Sequence, residues 1–379
     1  MRVLQGATGR RHSGKEEKGR SGTGLTLPPV KQRIRIAVDA MGGDHAPRPI
    51  VEGAVAAATE WDYEVLLVGY PDQIQPELDL LKASNLPIRI IPCDSVVTMD
   101  DSPAQGCRQK PNSSIMVAAK LVANKEADGM VSAGNSGATM AAALWHMHRL
   151  PHVSRPAITT FLPTIDGFCV LADAGANVDC KPKHLLQFAI MGRQVMKSVC
   201  GRENPKIGIL SIGEEPSKGN ELTLAAAELL RKHVSNFIGN VEGRDIPKGT
   251  ADVIVCDGFV GNIVLKYAEG LAESLVTLIK EQVSTNPLAK LGGLFMQSSL
   301  KEVKRKTDYA EYGGAPLLGV NGVCIICHGK SNKKAIMNAI HVAGQFVKND
   351  TNRLIQEEIQ KHHAGSTLSE DPPKVQLTV

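Results

Sequence analysis

The sequence predicts an α/β protein on a mostly parallel sheet, and three observations carry that prediction. Short apolar, β-branched runs alternate with stretches of helical periodicity, the order of successive βαβ units. Five of those runs end in a glycine loop that also carries Asp, Asn, Ser or Lys, as ligand-facing strand ends do. The 379 residues, 42% of them hydrophobic and 22% charged, supply core enough for one large α/β domain or two smaller ones.

Residues 34–47 (IRIAVDAMGGDHAP) organise the rest. Ile34, Ile36 and Val38 alternate with Arg35, Ala37 and Asp39, which predicts a strand that delivers Asp39 to its end. Gly42 and Gly43 allow the next loop positive φ and a close backbone approach to a ligand, and Asp44 and His45 add an acid and an imidazole at the rim. Pro47 and Pro49 then suit the first turn of a helix with an apolar face at Ile50, Val51, Ala54, Val55 and Ala58. The same spacing also suits an ordinary βα connection.

Strands follow at 64–68 and 88–91 with a helix at 72–83 between them. A polar loop over 97–114 leads to a helix at 114–124, placing Lys110, Asn112, Ser113 and Ser114 at an N-terminus that favours an anion, or that Asn112 or Ser113 simply caps. In 129–143 (GMVSAGNSGATMAAA) a strand turns sharply at Gly134–Gly137 into a small-residue helix, so Asn135, Ser136 and backbone N–H groups converge on one oxyanion or phosphate; a tight structural turn is the alternative. Residues 157–162 and 168–172 read as a β-pair whose second strand enters Asp173, Asn177, Asp179 and Lys181, with a long helix at 184–199. The pattern returns at Gly213, Lys218, Gly219 and Asn220, and again at Asp257, Gly258, Gly261 and Asn262. In an open parallel sheet these five ends line up along one edge, which favours an enzyme over a structural protein.

Residues 266–306 differ in kind. A helical stripe of Leu271, Leu275, Leu278, Ile279 and Val283 breaks at Asn286-Pro287, a second uses Leu288, Leu291, Leu294, Phe295 and Leu300, and Lys301, Lys304, Arg305 and Lys306 follow. A loop over 309–319 returns to a strand at 323–327, and helices at 332–348 and 351–362 close the chain, with a loose polar tail over 364–379.

Several chemistries are set aside. The net charge of +4 is misleading: residues 1–35 hold nine Lys/Arg against Glu16 and Glu17, leaving 34 basic and 37 acidic residues elsewhere. A slightly acidic body with 4% aromatic residues does not call for nucleic acid. Residues 1–33 have no signal-peptide core and read as a disordered basic leader: a transit-type segment, a contact arm or an upstream start. No apolar run reaches the eighteen or so residues a membrane-spanning helix needs. The eight cysteines read as reduced and mostly buried. Cys324, Cys327 and His328 have the haem-attachment spacing but sit in a β-branched run, and Gly329-Lys330-Ser331 lacks the upstream glycine of a P-loop. No G-x-G-x-x-G, G-x-S-x-G or metal-spaced cluster occurs, so neither cofactor nor metal is called for.

At DAMGGDHAP, SAGNSGA, DAGANVD, KGNEL and DGFVGNIVLK, in this order, the sequence closely resembles the bacterial phosphate acyltransferase family called PlsX, over roughly residues 34–362. The resemblance implies a three-layer α/β/α fold related to phosphate acetyltransferases and isocitrate dehydrogenase-like enzymes, and a homodimer. It implies transfer of a fatty acyl group from acyl-acyl-carrier-protein to inorganic phosphate, giving acyl phosphate for phosphatidic acid synthesis. It also implies a cytoplasmic protein at the inner face of the membrane, with residues 266–306 as a protruding arm and a membrane glycerol-3-phosphate acyltransferase as a contact. Ser136 keeps the hydroxyl of the family's usual Thr, while Gln109 and Pro111 thin a basic run to Arg108 and Lys110. Coenzyme A-dependent phosphate acetyl- or butyryltransfer, an NAD- and metal-dependent dehydrogenase, and a non-catalytic carrier-docking module are the rival readings.

The expected roles follow. Phosphate is already a nucleophile, so a site has to orient, dehydrate and partly neutralise it. Gly42, Gly43, Asp44, His45, Lys110, Ser113, Gly134, Ser136 and Gly137 are expected to serve that binding, together with Lys181, Lys218 and Asn262. Asn135 or Asn177 is expected to stabilise the oxyanion, and Asp39, Asp173 and Asp257 to hold the loops, one of them protonating the leaving sulfur. Leu291, Leu294 and Phe295 are expected to meet the membrane surface.

Overall fold

Strand pairing begins where the alternating runs put it. A computed structural model describes residues 33–284, 287–307 and 309–364, so the expected leader, apart from Arg33, and the tail, apart from Ala364, lie outside the described residues. The first half of the chain runs β1 (Ile34–Asp39), α1 (Arg48–Glu60), β2 (Tyr63–Gly69), α2 (Pro71–Leu80), β3 (Ile88–Pro92), α3 (Pro103–Gln109), α4 (Ser114–Ala123), β4 (Gly129–Ser132) and α5 (Ser136–His146). A second series follows: β5 (Ala157–Thr164), β6 (Gly167–Ala172), α6 (Pro182–Ser198), β7 (Ile207–Leu210), α7 (Glu221–His233), β8 (Phe237–Val241) and β9 (Val253–Val255). The arm is α8 (Gly258–Ser284), α9 (Pro287–Phe295) and α10 (Gln297–Thr307), and β10 (Ala315–Leu318), β11 (Val323–Ile326), α11 (Lys333–Lys348) and α12 (Thr351–Ala364) complete the chain.

All eleven strands form one sheet in the order β3-β2-β1-β4-β11-β10-β5-β6-β9-β7-β8. Two parallel blocks, β3-β2-β1-β4-β11 and β6-β9-β7-β8, flank antiparallel pairings of β10 with β11, β10 with β5, and β5 with β6. Three reversals set the blocks in opposite directions. The expectation that five strand ends share one edge is therefore corrected: the ends of β1 and β4 point one way, and those of β6, β7 and β9 the other.

Helices cover both faces, giving the α/β/α layering. Under α1, α6, α7 and α11 lies one continuous core in which Phe188, Ile190 and Met191 of α6 and Ile36 of β1 are fully buried. The other face carries two smaller clusters, one beneath α4 and α5, the other beneath the start of α8 at Val264 and Leu265. Ile158 packs against both, so a seam crosses the middle of that face. A loop was expected over 97–114, yet Pro103 starts the seven-residue α3. Likewise the 309–319 loop contains β10, hidden in sequence between glycines of positive φ at 313, 314 and 319.

In the arm, α8 alone has 27 residues, about 40 Å at 1.5 Å per residue. Among its described residues only Gly258 and Gly261, in the first turn, are buried. Beyond that turn α8 packs on α9, leaving Leu271, Leu275 and Leu278 about half exposed.

Candidate active site

Two buried carboxylates brace the loops on either side of the seam. Asp39, at the end of β1, accepts a hydrogen bond from the Ser132 hydroxyl (2.7 Å) and one from the Met41 N–H (3.3 Å). Burial pushes its carboxyl up against the pull of those donors. Ser132 Oγ in turn accepts from Gly134 N–H at 3.1 Å, so the carboxylate braces the turn entering α5. Gly42 closes over it: a Cβ there would stand 2.5 Å from Asp39 Oδ2 and 2.7 Å from the Gly134 nitrogen. Asn135 caps α5, its Oδ1 accepting from Ala138 N–H, and both protons of its amide go to the carbonyls of Met99 and Asp101. With its donors committed, Asn135 shapes the turn and is not the free oxyanion donor expected. Ser136, exposed at the first position of α5, and the N–H groups of Ser136 and Gly137 remain as donors.

Across the seam, Asp173 accepts from four backbone N–H groups, those of Ile158, Gly175, Ala176 and Asn177, and from the Asn177 side chain. Burial pushes this carboxyl up too, with those donors opposing. Asn177 gives its amide protons to Asp173 and to the Pro156 carbonyl, so it too is scaffold where an oxyanion donor was expected. The first turn of α8 lies directly on this loop, where a Cβ on Gly261 would fall 1.9 Å from the Asp173 carbonyl. Asp257 accepts from Val260 N–H at 2.9 Å and caps α8. None of the three expected carboxylates lines the cleft described next.

That cleft, about 210 Å³, opens along the seam. Ser136 contributes from α5, Ile158, Thr160 and Phe161 from β5, and Asn262, Lys266 and Glu269 from α8, while Tyr312 and His328 close the C-terminal side. Tyr312 stacks on Phe161 at 6.3 Å between ring centroids, and burial raises its hydroxyl. Lys266 Nζ donates to Glu269 Oε2 at 2.8 Å. The sequence reading placed Ser136 and Asn262 here but passed over Lys266, Glu269, Thr160 and Tyr312. The signal was present on α8, since 262, 266 and 269 share one helical face; the others depend on strands meeting across the sheet.

The remaining expected residues sit elsewhere. Lys110 bonds Asp101 at 2.5 Å and the Val96 carbonyl at 2.9 Å, so this cation is turned away from the cleft, and Ser113 is fully buried. Asp44 and His45 are exposed beside the loop after β11, where Asp44 N–H donates to the Gly329 carbonyl. Gly43, with positive φ, allows that approach. Lys181 precedes α6 and Lys218 lies in the exposed loop before α7, and neither lines the cleft. Leu291, Leu294 and Phe295 on α9 are 52%, 66% and 78% exposed. Cys324 and Cys327 are buried, with thiols pushed up to about 12 by desolvation.

In chemical terms the cleft offers N–H donors at a helix start, a lysine, and an apolar wall that includes Ile158, Phe161 and Ile326. A family model described as "Fatty acid synthesis protein" matches residues 34–354. A phosphate acyltransferase of Desulfitobacterium hafniense is 54% identical over 335 residues, covering 88% of this chain and 99% of the other. One of Pelotomaculum thermopropionicum is 50% identical over 344 residues, covering 89% and 99%. Among solved structures, a phosphotransacetylase from Streptococcus pyogenes shares the fold with a TM-score of 0.59 at 18% identity, covering 83% of this chain and 94% of the other.

Proposed function

The chain belongs to the phosphate acyltransferase family, and on that premise we propose that it moves a fatty acyl group reversibly from acyl-acyl-carrier-protein to inorganic phosphate, supplying acyl phosphate for phosphatidic acid synthesis. The observation that carries this reading is the cleft itself, where the start of α5 and the polar face of α8 share one space with Ile158, Phe161 and Ile326. Phosphate binds at Ser136 and the first N–H groups of α5, where the helix dipole favours an anion. A phosphate oxygen attacks the thioester carbonyl and forms the new C–O bond, leaving an oxyanion, and the carbonyl re-forms as the C–S bond breaks, releasing acyl phosphate and the thiolate. The departing thiolate, with an ordinary pKa of about 8.5, needs little protonation, so a buried acid such as Asp39 need not reach it.

Purified protein incubated with acyl-carrier-protein thioester, with and without phosphate, tests the reading. Acyl phosphate should appear only with phosphate, and acyl-coenzyme A should be the poorer donor. Turnover with coenzyme A thioesters alone would replace this reading with short-chain phosphate acyltransfer.

The reading extends to a homodimer working at the inner face of the membrane, beside the acyltransferase that consumes acyl phosphate. Supporting it, α9 exposes Leu291, Leu294 and Phe295, and Lys301 and Arg305 follow on α10. Each basic residue near an anionic surface is worth about 1 kcal/mol, enough for reversible attachment. Leu294→Glu with Phe295→Glu should abolish sedimentation with anionic vesicles while light scattering still reports a dimer. Persistent sedimentation, or monomers, would refute the membrane role.

A further inference from the structure

A phosphate dianion drawn into a partly apolar cleft needs more than a helix dipole, which contributes roughly half a charge. The cations expected to supply the rest are elsewhere: Lys110 is bonded to Asp101, and Lys181 and Lys218 do not line the cleft. Among the described lining residues, Lys266 alone is a lysine or arginine. Its position is also built. The first turn of α8 is clamped by Gly258 against Asn177 and Gly261 against the Asp173 carbonyl, and Leu265 packs on the third core cluster. With that turn fixed, Asn262, Lys266 and Glu269 line the cleft, and the Lys266 side chain stays 52% exposed at its mouth. Glu269 then accepts from Lys266 Nζ at 2.8 Å and holds the ammonium at the rim.

We propose that Lys266 is the cationic contact for the phosphate group of substrate and product, and that Glu269 is a positioning residue which holds its ammonium until the anion displaces it. The proposal deepens the acyltransferase reading and rests on it. Phosphate and carboxylate compete for one ammonium. Glu269 thus lowers the resting affinity for phosphate, and by the same competition releases product.

A carrier's pantetheine arm brings a phosphodiester of its own, so the test separates the two sources of phosphate. Steady-state kinetics would measure KM for inorganic phosphate and for the acyl thioester independently. Lys266→Met should raise the phosphate KM by about tenfold to a hundredfold, the range for losing a charged hydrogen-bond partner, with the thioester KM unchanged; Lys266→Arg should restore most of it. Glu269→Gln should move the phosphate KM the other way, by about two- to fivefold, because the competing charge is gone. A second measurement needs no turnover: the rise in Tm with added inorganic phosphate should be lost in Lys266→Met and kept in Glu269→Gln. An unchanged phosphate KM in Lys266→Met, or a change confined to the thioester KM, overturns the assignment. Should Lys266→Met not fold, a Glu269→Gln phosphate KM that rises or stays level overturns it instead. Wild-type protein that binds phosphate but makes no acyl phosphate would sink the acyltransferase reading and leave the anion site standing.

Discussion

Asp39 and Asp173 look alike in sequence, each an Asp-Ala step at the end of an apolar strand before a glycine loop, yet the fold employs them differently. Asp39 leans on a hydroxyl, with Ser132 Oγ donating at 2.7 Å and relaying the contact to Gly134 N–H. Asp173 is gripped by four backbone N–H groups and one amide. A hydroxyl can rotate to donate or accept, whereas a backbone N–H can only donate. The β1 side of the seam is therefore adaptable, and the β6 side demands a carboxylate. The cleft lies between a turn that can adjust and a loop that cannot.

The largest effect should come from Asp173→Asn. Whichever way the new amide is set, its NH2 meets at least two N–H donors that it cannot satisfy, a loss of about 3–5 kcal/mol at 1–3 kcal/mol per stranded buried donor. Chemical denaturation would measure it, and a loss below about 1 kcal/mol would erase the contrast between the two sides. Because α8 sits on this loop through Gly261, the variant should also weaken the wall that carries Lys266.

Asp39→Asn should cost less, about 1–2 kcal/mol, because Ser132 can turn and accept from the amide while keeping Gly134. The same denaturation experiment applies. Equal losses in the two variants would mean that burial alone, and not the kind of donor, decides the cost.

The smallest effect is a drift with pH. Burial raises both carboxyls above the ordinary 3.8. A raised carboxyl contributes its full stability below the unfolded value and loses it as pH climbs through the folded value, so each wild-type aspartate should lose ground to its Asn variant as pH rises above 3.8. The drift should be wider at Asp39, where fewer fixed N–H dipoles favour the charge. Denaturation midpoints of wild type and both variants across a pH series would show it, and a wider drift at Asp173 would reverse the comparison.

By itself the sequence determined the α/β class, the glycine turns after β1, β4, β6 and β9, the pairing of β5 with β6, and the amphipathic arm with its break before Pro287. All of these rest on side-chain period or on a backbone conformation that a few neighbouring residues control. Ser136 and Asn262, which line the cleft, were legible as candidates for the same reason, each lying at or near a helix start beside a glycine. The tertiary structure decided the direction of the second parallel block, because β10, besides its hairpin with β11, pairs antiparallel with β5 from far back in the chain, a pairing that no local pattern encodes. It decided which polar groups stay available: Asn135, Asn177 and Lys110 are donors by type, but their protons are taken by Met99, Asp101, Pro156, Asp173 and Val96, and such partners are met only on folding. It also decided that Lys266 and Glu269 line the cleft, since the Asp173 carbonyl under Gly261 limits the rotation of α8, and that contact is made only on folding.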